Sequence, residues 1–112
     1  MKRFVGFAVA ASAFLATSAL AQDKKTERVF KSKCASCHGM DGKAQTEKGK
    51  QMKIADMTSA DFKARKDEDL KKAILEGVKK EADGVKKEMD PFKDELKPEQ
   101  VDGLVQFVKG LK

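Results

Sequence analysis

The chain has 112 residues, 40% hydrophobic and 38% charged, with a formal net charge of +6, two Cys, one His, and neither Trp nor Tyr. That length allows one small domain and excludes a large multidomain enzyme. Residues 1–21 hold 15 of the hydrophobic residues, and in residues 22–112 Leu, Ile, Val and Phe number only 17, or 19%, a level at which a highly charged chain is expected to be disordered. Net charge after residue 21 is a modest +4 with both signs interspersed, so the composition describes a domain short of core rather than a disordered tail.

Lys2 and Arg3 precede an apolar, Ala-rich run from Phe4 to Leu15, and Ala19-Leu20-Ala21 supplies a small-x-small cleavage pattern. This is the layout of a secretory signal peptide, so residues 1–21 are expected to be cleaved and residues 22–112 to work outside the cytoplasm. The competing reading is an uncleaved membrane anchor, since Phe4 to Ala21 approaches the length of a span. Ser12, Thr17, Ser18 and the cleavage pattern weigh against it. No Cys follows the cleavage site to carry a lipid, and no later stretch is apolar enough to span a membrane.

The rest reads as short helices, with no internal repeat and no polar–apolar alternation that would signal a sheet. Thr26 to Lys33 carries Val29 and Phe30 among charges and forms a short amphipathic helix leading to Cys34. Gly39 to Lys53, with three Gly, reads as a loop. Thr58-Ser59-Ala60-Asp61 has the form of a capping box before a helical turn at Phe62. Asp67-Glu68-Asp69 places negative charge at the first turn of a helix whose dipole favours it, with Leu70, Ala73, Ile74 and Val78 on one face. Gly84 and Pro91 interrupt the segment from Glu81 to Lys97. Pro98 suits the start of a last helix, on which Val101, Leu104, Val105, Val108 and Leu111 form an apolar face with Phe107 at its margin. The expected fold class is all-α.

Both Cys and the only His fall within Cys34-Ala35-Ser36-Cys37-His38. A C-x-x-C-H run is the attachment signature of c-type haem. Two thiols three positions apart can form thioethers with the two vinyl groups on one porphyrin edge, and the following His can put an imidazole nitrogen on the iron. A structural disulfide would leave the adjacent His unexplained, and a thioredoxin-like site needs a βαβ setting. Structural zinc calls for four ligands, and three in five residues fall short. Copper(I) is the remaining metal reading, since Cys and Met are soft ligands.

With one His, bis-His ligation within the chain is impossible. The second axial ligand is therefore Met, Lys, water or an exogenous molecule. Met40 is too close to His38 to reach the opposite haem face. Met52 and Met57 lie in or beside the loop and can equally pack as core. Met89 lies 51 residues beyond His38, enough chain to wrap a porphyrin, and is followed by Asp90-Pro91-Phe92, where Pro stiffens the turn. Met89 is favoured as the ligand, with Met57 as the alternative, partly because of a family resemblance.

These residues resemble a class I monohaem cytochrome c of the small bacterial periplasmic type. The resemblance runs through Phe30, the stretch from Cys34 to Lys43, Leu70 to Gly77, Met89-Asp90-Pro91-Phe92, Leu96 and Leu104 to Val108. It implies a small helical domain wrapped around one covalent haem c, with Cys34 and Cys37 as thioether donors and His38 and Met89 as iron ligands. Three features depart from the family pattern. Thr26 stands where the family often has Gly at the crossing of its terminal helices, and Gly103 is the expected substitute. No Pro lies between His38 and Asp90 to orient the His ring through its carbonyl. Asp90 separates Met89 from the Pro that commonly follows the ligand.

His/Met ligation leaves no open iron position, which suits electron transfer rather than enzymatic catalysis. The expected function is a periplasmic electron shuttle, a monomer without stable membrane insertion after cleavage. A haem-based sensor with a labile sixth position and a periplasmic copper-binding protein are the alternatives. Lys31, Lys33, Lys43, Lys48, Lys50 and Lys53 surround the haem motif and could steer its edge toward redox partners with acidic docking surfaces. Nucleic acid is not an expected partner, given the low net charge and only four Phe after residue 21.

Overall fold

A computed structural model describes residues 24–112; the expected signal peptide, residues 1–21, lies outside the described residues. Helix α1 covers residues 24–33 and is followed by α2 (Ala35–His38), α3 (Glu47–Gln51), α4 (Ala60–Lys63) and α5 (Asp67–Glu76). Strands β1 (Val78–Ala82) and β2 (Val85–Met89) precede the last helix, α6 (Pro98–Lys109). The domain is predominantly helical, as expected.

The core forms where α1, α5 and α6 meet. Val101, Leu104, Val105 and Val108 of α6 are buried at i, i+3, i+4 and i+7, and Phe30 of α1 and Leu70 of α5 close against them. Each such side chain contributes roughly 1.5–3 kcal/mol by leaving water. The Phe30 and Phe107 rings sit 5.2 Å apart at 48°, a tilted arrangement that suits their quadrupoles. A Cβ on Gly103 would lie 3.0 Å from Thr26 Oγ1, so α1 and α6 approach each other at the position expected from sequence. The missing side chain is on α6 instead of α1.

Helix ends follow local chemistry. Pro98 opens α6, and the Gln100 side chain accepts a hydrogen bond from the Lys97 N–H at 2.8 Å. Three acids occupy the first turn of α5. The cap of α4 is one residue later than expected. The Ser59 hydroxyl accepts from the Phe62 N–H, because Thr58 turns back and donates to Asp56 Oδ1 at 2.6 Å. At the far end of α6, Lys63 Nζ donates to the carbonyls of Lys109 and Leu111.

The expectation of no sheet and no internal repeat is corrected. Val-Lys-Lys-Glu occurs at 78–81 and again at 85–88, and the two copies pair antiparallel, with Val78 opposite Met89 and Ala82 opposite Val85. Asp83 and Gly84 both have positive φ, 55° and 78°, the requirement of a two-residue type I′ hairpin turn. The oppositely charged pairs Lys79–Glu88 and Glu81–Lys86 face each other across the ladder, a favourable cross-strand arrangement. Helix α5 consequently stops at Glu76, and Val78 belongs to β1 instead of extending the helical face. The segment 39–53 likewise is not all loop, since it contains α3.

Candidate haem site

The C-x-x-C-H run sits on one helical turn that continues from α1. The Cys34 N–H donates to the Phe30 carbonyl, and the Cys34 carbonyl accepts from both Cys37 and His38 at 3.2 and 3.0 Å. Residues three apart on such a turn share a side, so Cys34 and Cys37 are presented together with His38 beside them. Both cysteines are free and half-buried. Burial pushes the Cys34 thiol up to about 11, with Lys33 opposing and Cys37 adding to the rise. The thiol is therefore protonated at neutral pH, unlike the low-pKa thiolate of a redox Cys-x-x-Cys.

Two residues missed in the sequence hold this turn in place. The Thr46 hydroxyl donates to the Cys37 carbonyl at 2.6 Å and accepts from the Gly49 N–H at 2.8 Å, capping α3 against α2. Gly49 is buried, and a Cβ there would press on the Ala44 carbonyl oxygen and come within 2.9 Å of the Cys37 carbonyl oxygen. The Ala44 N–H in turn donates to the His38 carbonyl at 2.8 Å. The available sequence signal was Thr46-Glu47, a cap residue followed by an acid in the first turn.

Among the described residues, His38 Nδ1 is the one buried side-chain nitrogen or oxygen without a hydrogen-bond partner. The missing Pro carbonyl anticipated from sequence is therefore not replaced by another acceptor, and burial holds the imidazole below its ordinary value. No three His, Cys, Asp or Glu side chains among the described residues converge to hold a bare metal ion. The donor set instead fits a group that brings its own ring of iron ligands and takes thiols covalently: two free thiols on one turn and an adjacent half-buried imidazole.

A family model for cytochrome c matches residues 24–112. The chain belongs to the cytochrome c family. Two solved structures are similar to it. KustC0563 c-type cytochrome is 31% identical, with 78% of this chain and 96% of that chain covered and a TM-score of 0.63. A tyrosine-to-phenylalanine mutant of Kustc0563 is 32% identical, with 78% and 98% covered and a TM-score of 0.63. No curated protein sequence matches the chain. The family carries covalent haem c and serves haem-based electron transfer, and Cys34, Cys37 and His38 of this cytochrome occupy the attachment motif.

The four methionines after residue 22 have different surroundings. Met40 is 58% exposed. Met57 is buried in the core cluster, in the corner where Gly42 also meets Leu111, and its N–H donates to the Gly42 carbonyl at 2.8 Å. Met52 Sδ accepts from the Glu88 N–H at 3.5 Å. Met89 is half-buried at the end of β2. The chain after it is pinned to α5, since Phe92 and Lys93 donate to the carbonyls of Ile74 and Leu75 at 2.9 and 3.2 Å. Gly77 leaves room for this return, because a Cβ there would come within 2.5 Å of the Met89 carbonyl oxygen.

The basic rim is partly engaged. Lys33 pairs with Glu95 at 2.9 Å, and Lys53 Nζ donates to the Asp83 carbonyl, while Lys31, Lys43, Lys48 and Lys50 are exposed. Among the described residues no helix is long and apolar enough to cross a membrane.

Proposed function

We propose that this cytochrome is a periplasmic one-electron carrier, not an enzyme, whose haem iron is held by His38 and Met89. The observation that carries the reading is the Cys34–His38 turn, fixed through its own carbonyls by Thr46 and Ala44. When bound, haem supplies an iron that cycles between ferrous and ferric states. Cys34 and Cys37 would hold its edge through thioethers, and His38 would give one axial nitrogen. Met89 is supported as the other ligand because Met57 packs in the core, Met52 sulfur already accepts a backbone N–H and Met40 faces solvent. Six retained ligands keep rearrangement small between redox states, and a thioether favours the ferrous form.

A haem stain that survives denaturation tests covalent attachment. Loss of the far-red sulfur-to-iron absorption band in Met89→Ala, with retention in Met57→Ala, tests the ligand; the reverse pattern overturns it. The periplasmic setting rests on the export pattern in residues 1–21, and a mature N-terminus other than Gln22 by mass spectrometry would contradict it.

An acidic redox partner is supported by charge placement. Residues 24–53 carry nine basic and three acidic side chains, whereas residues 54–112 carry thirteen and fourteen. The excess positive charge therefore lies on the elements that bear the haem motif, where it would speed encounter with an acidic surface in low salt. Association with such a partner that does not slow as salt rises would remove this argument.

A further inference from the structure

The strand that ends in Met89 is tied at two places. Behind it, the segment from Pro91 to Lys93 is held by α5, through the hydrogen bonds to Ile74 and Leu75. On the other side, the hairpin reaches Met52 and Lys53, just beyond α3. Lys87 Nζ donates to the Lys53 carbonyl at 3.0 Å, and Lys53 Nζ donates to the Asp83 carbonyl at 3.3 Å. The Glu88 N–H donates to Met52 Sδ at 3.5 Å, and Lys87 also lies 3.8 Å from the Asp83 carboxylate. These contacts are reciprocal: each partner offers the other a lysine head and a carbonyl.

Two further observations single this clasp out. Lys53 has a φ of 50°, a left-handed backbone uncommon for a residue with a side chain and one that persists only where its surroundings hold it. Lys87 stands directly opposite Lys80 in the ladder, an unfavourable like-charge placement, yet its side chain is only 22% exposed because it turns onto the Lys53 carbonyl. Helix α3, at whose end the clasp is anchored, is also the helix whose cap Thr46 grips Cys37. The clasp therefore joins the strand bearing Met89 to the scaffold bearing His38.

We propose that Lys53, Lys87 and Met52 are positioning residues that act through Met89, and that their clasp sets how often the sixth iron position opens to a small neutral ligand. This rests on the reading of Met89 as axial ligand. With the clasp closed, β2 is held on both sides and the Met89 sulfur stays where the α5 anchor and the hairpin register put it. With the clasp released, only the α5 anchor remains, and the hairpin can swing about Gly77 while the core of α1, α5 and α6 is untouched.

The test uses the haem-loaded protein and carbon monoxide as probe. Lys53→Met/Lys87→Met keeps both aliphatic stems and removes both ammonium donors. Loss of these two hydrogen bonds predicts an about tenfold faster CO association with the ferrous form. Amides of residues 85–89 should lose hydrogen-exchange protection while those of α6 keep theirs, and the ferric far-red band should persist in weakened form. Met52→Leu, which removes the acceptor sulfur at nearly constant volume, should shift the same readouts in the same direction by a smaller factor, and serves if the double variant folds poorly. An unchanged CO rate overturns the proposal, and so does a faster rate accompanied by equal loss of protection in α6, which would be general loosening. Met89→Ala run alongside separates the two claims. A far-red band that survives it overturns both, whereas loss of the band there with an unchanged CO rate in the clasp variants overturns the clasp alone.

Discussion

Gly49→Ala sets two opposing effects against each other at the base of the haem motif. Gly49 lies inside α3, where replacing Gly by Ala normally stabilises a helix by about 0.8–1.0 kcal/mol. Here the new Cβ would meet the Ala44 carbonyl carbon at 2.8 Å and the Cys37 carbonyl oxygen at 2.9 Å, well inside the roughly 3.5–4.0 Å of ordinary carbon contacts. Neither neighbour is the free end of a side chain. Ala44 is tied to the His38 carbonyl, and the Cys37 carbonyl accepts from Thr46. Relief therefore requires moving backbone by more than half an ångström, and overpacking of this kind costs about 1–3 kcal/mol. The collision outweighs propensity by up to about 2 kcal/mol, which for a domain of this size lowers Tm by up to about 15 °C. Thermal unfolding of the ferric holoprotein, followed at the Soret band and in the far ultraviolet, measures it. A Tm equal to or above the parent's would show that the close approach is not load-resisting and that helix propensity wins.

Gly103→Ala should cost less than Gly49→Ala in the same assay, because its Cβ meets the Thr26 side chain, nearest at the hydroxyl 3.0 Å away, and not backbone, and a side chain can rotate away; an equal or larger loss would refute that ranking. Lys109 at 2.5 Å, with Gln106 at 3.1 Å, holds the Asp67 carboxyl below its ordinary value of 3.8. Its contribution is therefore present above pH 3.8 and lost as pH falls through the lower folded value. Asp67→Asn should lower the guanidinium midpoint at pH 7 and reduce its further fall toward pH 2, and a parallel acid limb in parent and variant would contradict this. The Cys34→Ala/Cys37→Ala chain, unable to attach haem, should be mostly unfolded, and a native-like helical spectrum with cooperative melting would refute the expectation.

The haem motif was legible in the sequence because its chemistry is local: five consecutive residues carry both thiols and the imidazole, and one helical turn is enough to present them. The last helix was legible for a similar reason, since Val101, Leu104, Val105 and Val108 declare a 3.6-residue period and Pro98 marks its start. The hairpin was not, because its alternation is written in Lys and Glu instead of in apolar residues, and the two strands bury no side chain completely. Asp83-Gly84 was the readable sign, a two-residue turn signal flanked by twin Val-Lys-Lys-Glu runs. Thr46 and Gly49 were missed because their importance is a matter of distance to Cys37, which no spacing rule exposes. Thr58 and Ser59 are both suited to cap α4, and Asp56, a competitor for the Thr58 hydroxyl, decides between them.

The thin composition acquires a physical meaning from where the buried side chains lie. Phe30, Leu70, Val101, Leu104, Val105 and Val108 belong to α1, α5 and α6, and with Met57, Phe62 and Leu96 they make one apolar cluster among the described residues. Around the attachment motif the buried residues are Ala35, Gly39, Gly42, Ala44 and Gly49, which contribute little apolar area, and the hairpin adds only half-buried Val78, Ala82, Val85 and Met89. Those segments cannot offset their own ordering entropy of about 1–2 kcal/mol per residue by self-burial. What they do share is position in the chain, since they flank the cysteine turn or lead to Met89. On the proposed ligation, covalent haem, a large flat apolar body, would supply the missing partner for both. A chain that gathers its large apolar side chains into one cluster and buries mostly Gly and Ala in the loop after the cysteines is built to close on a cofactor.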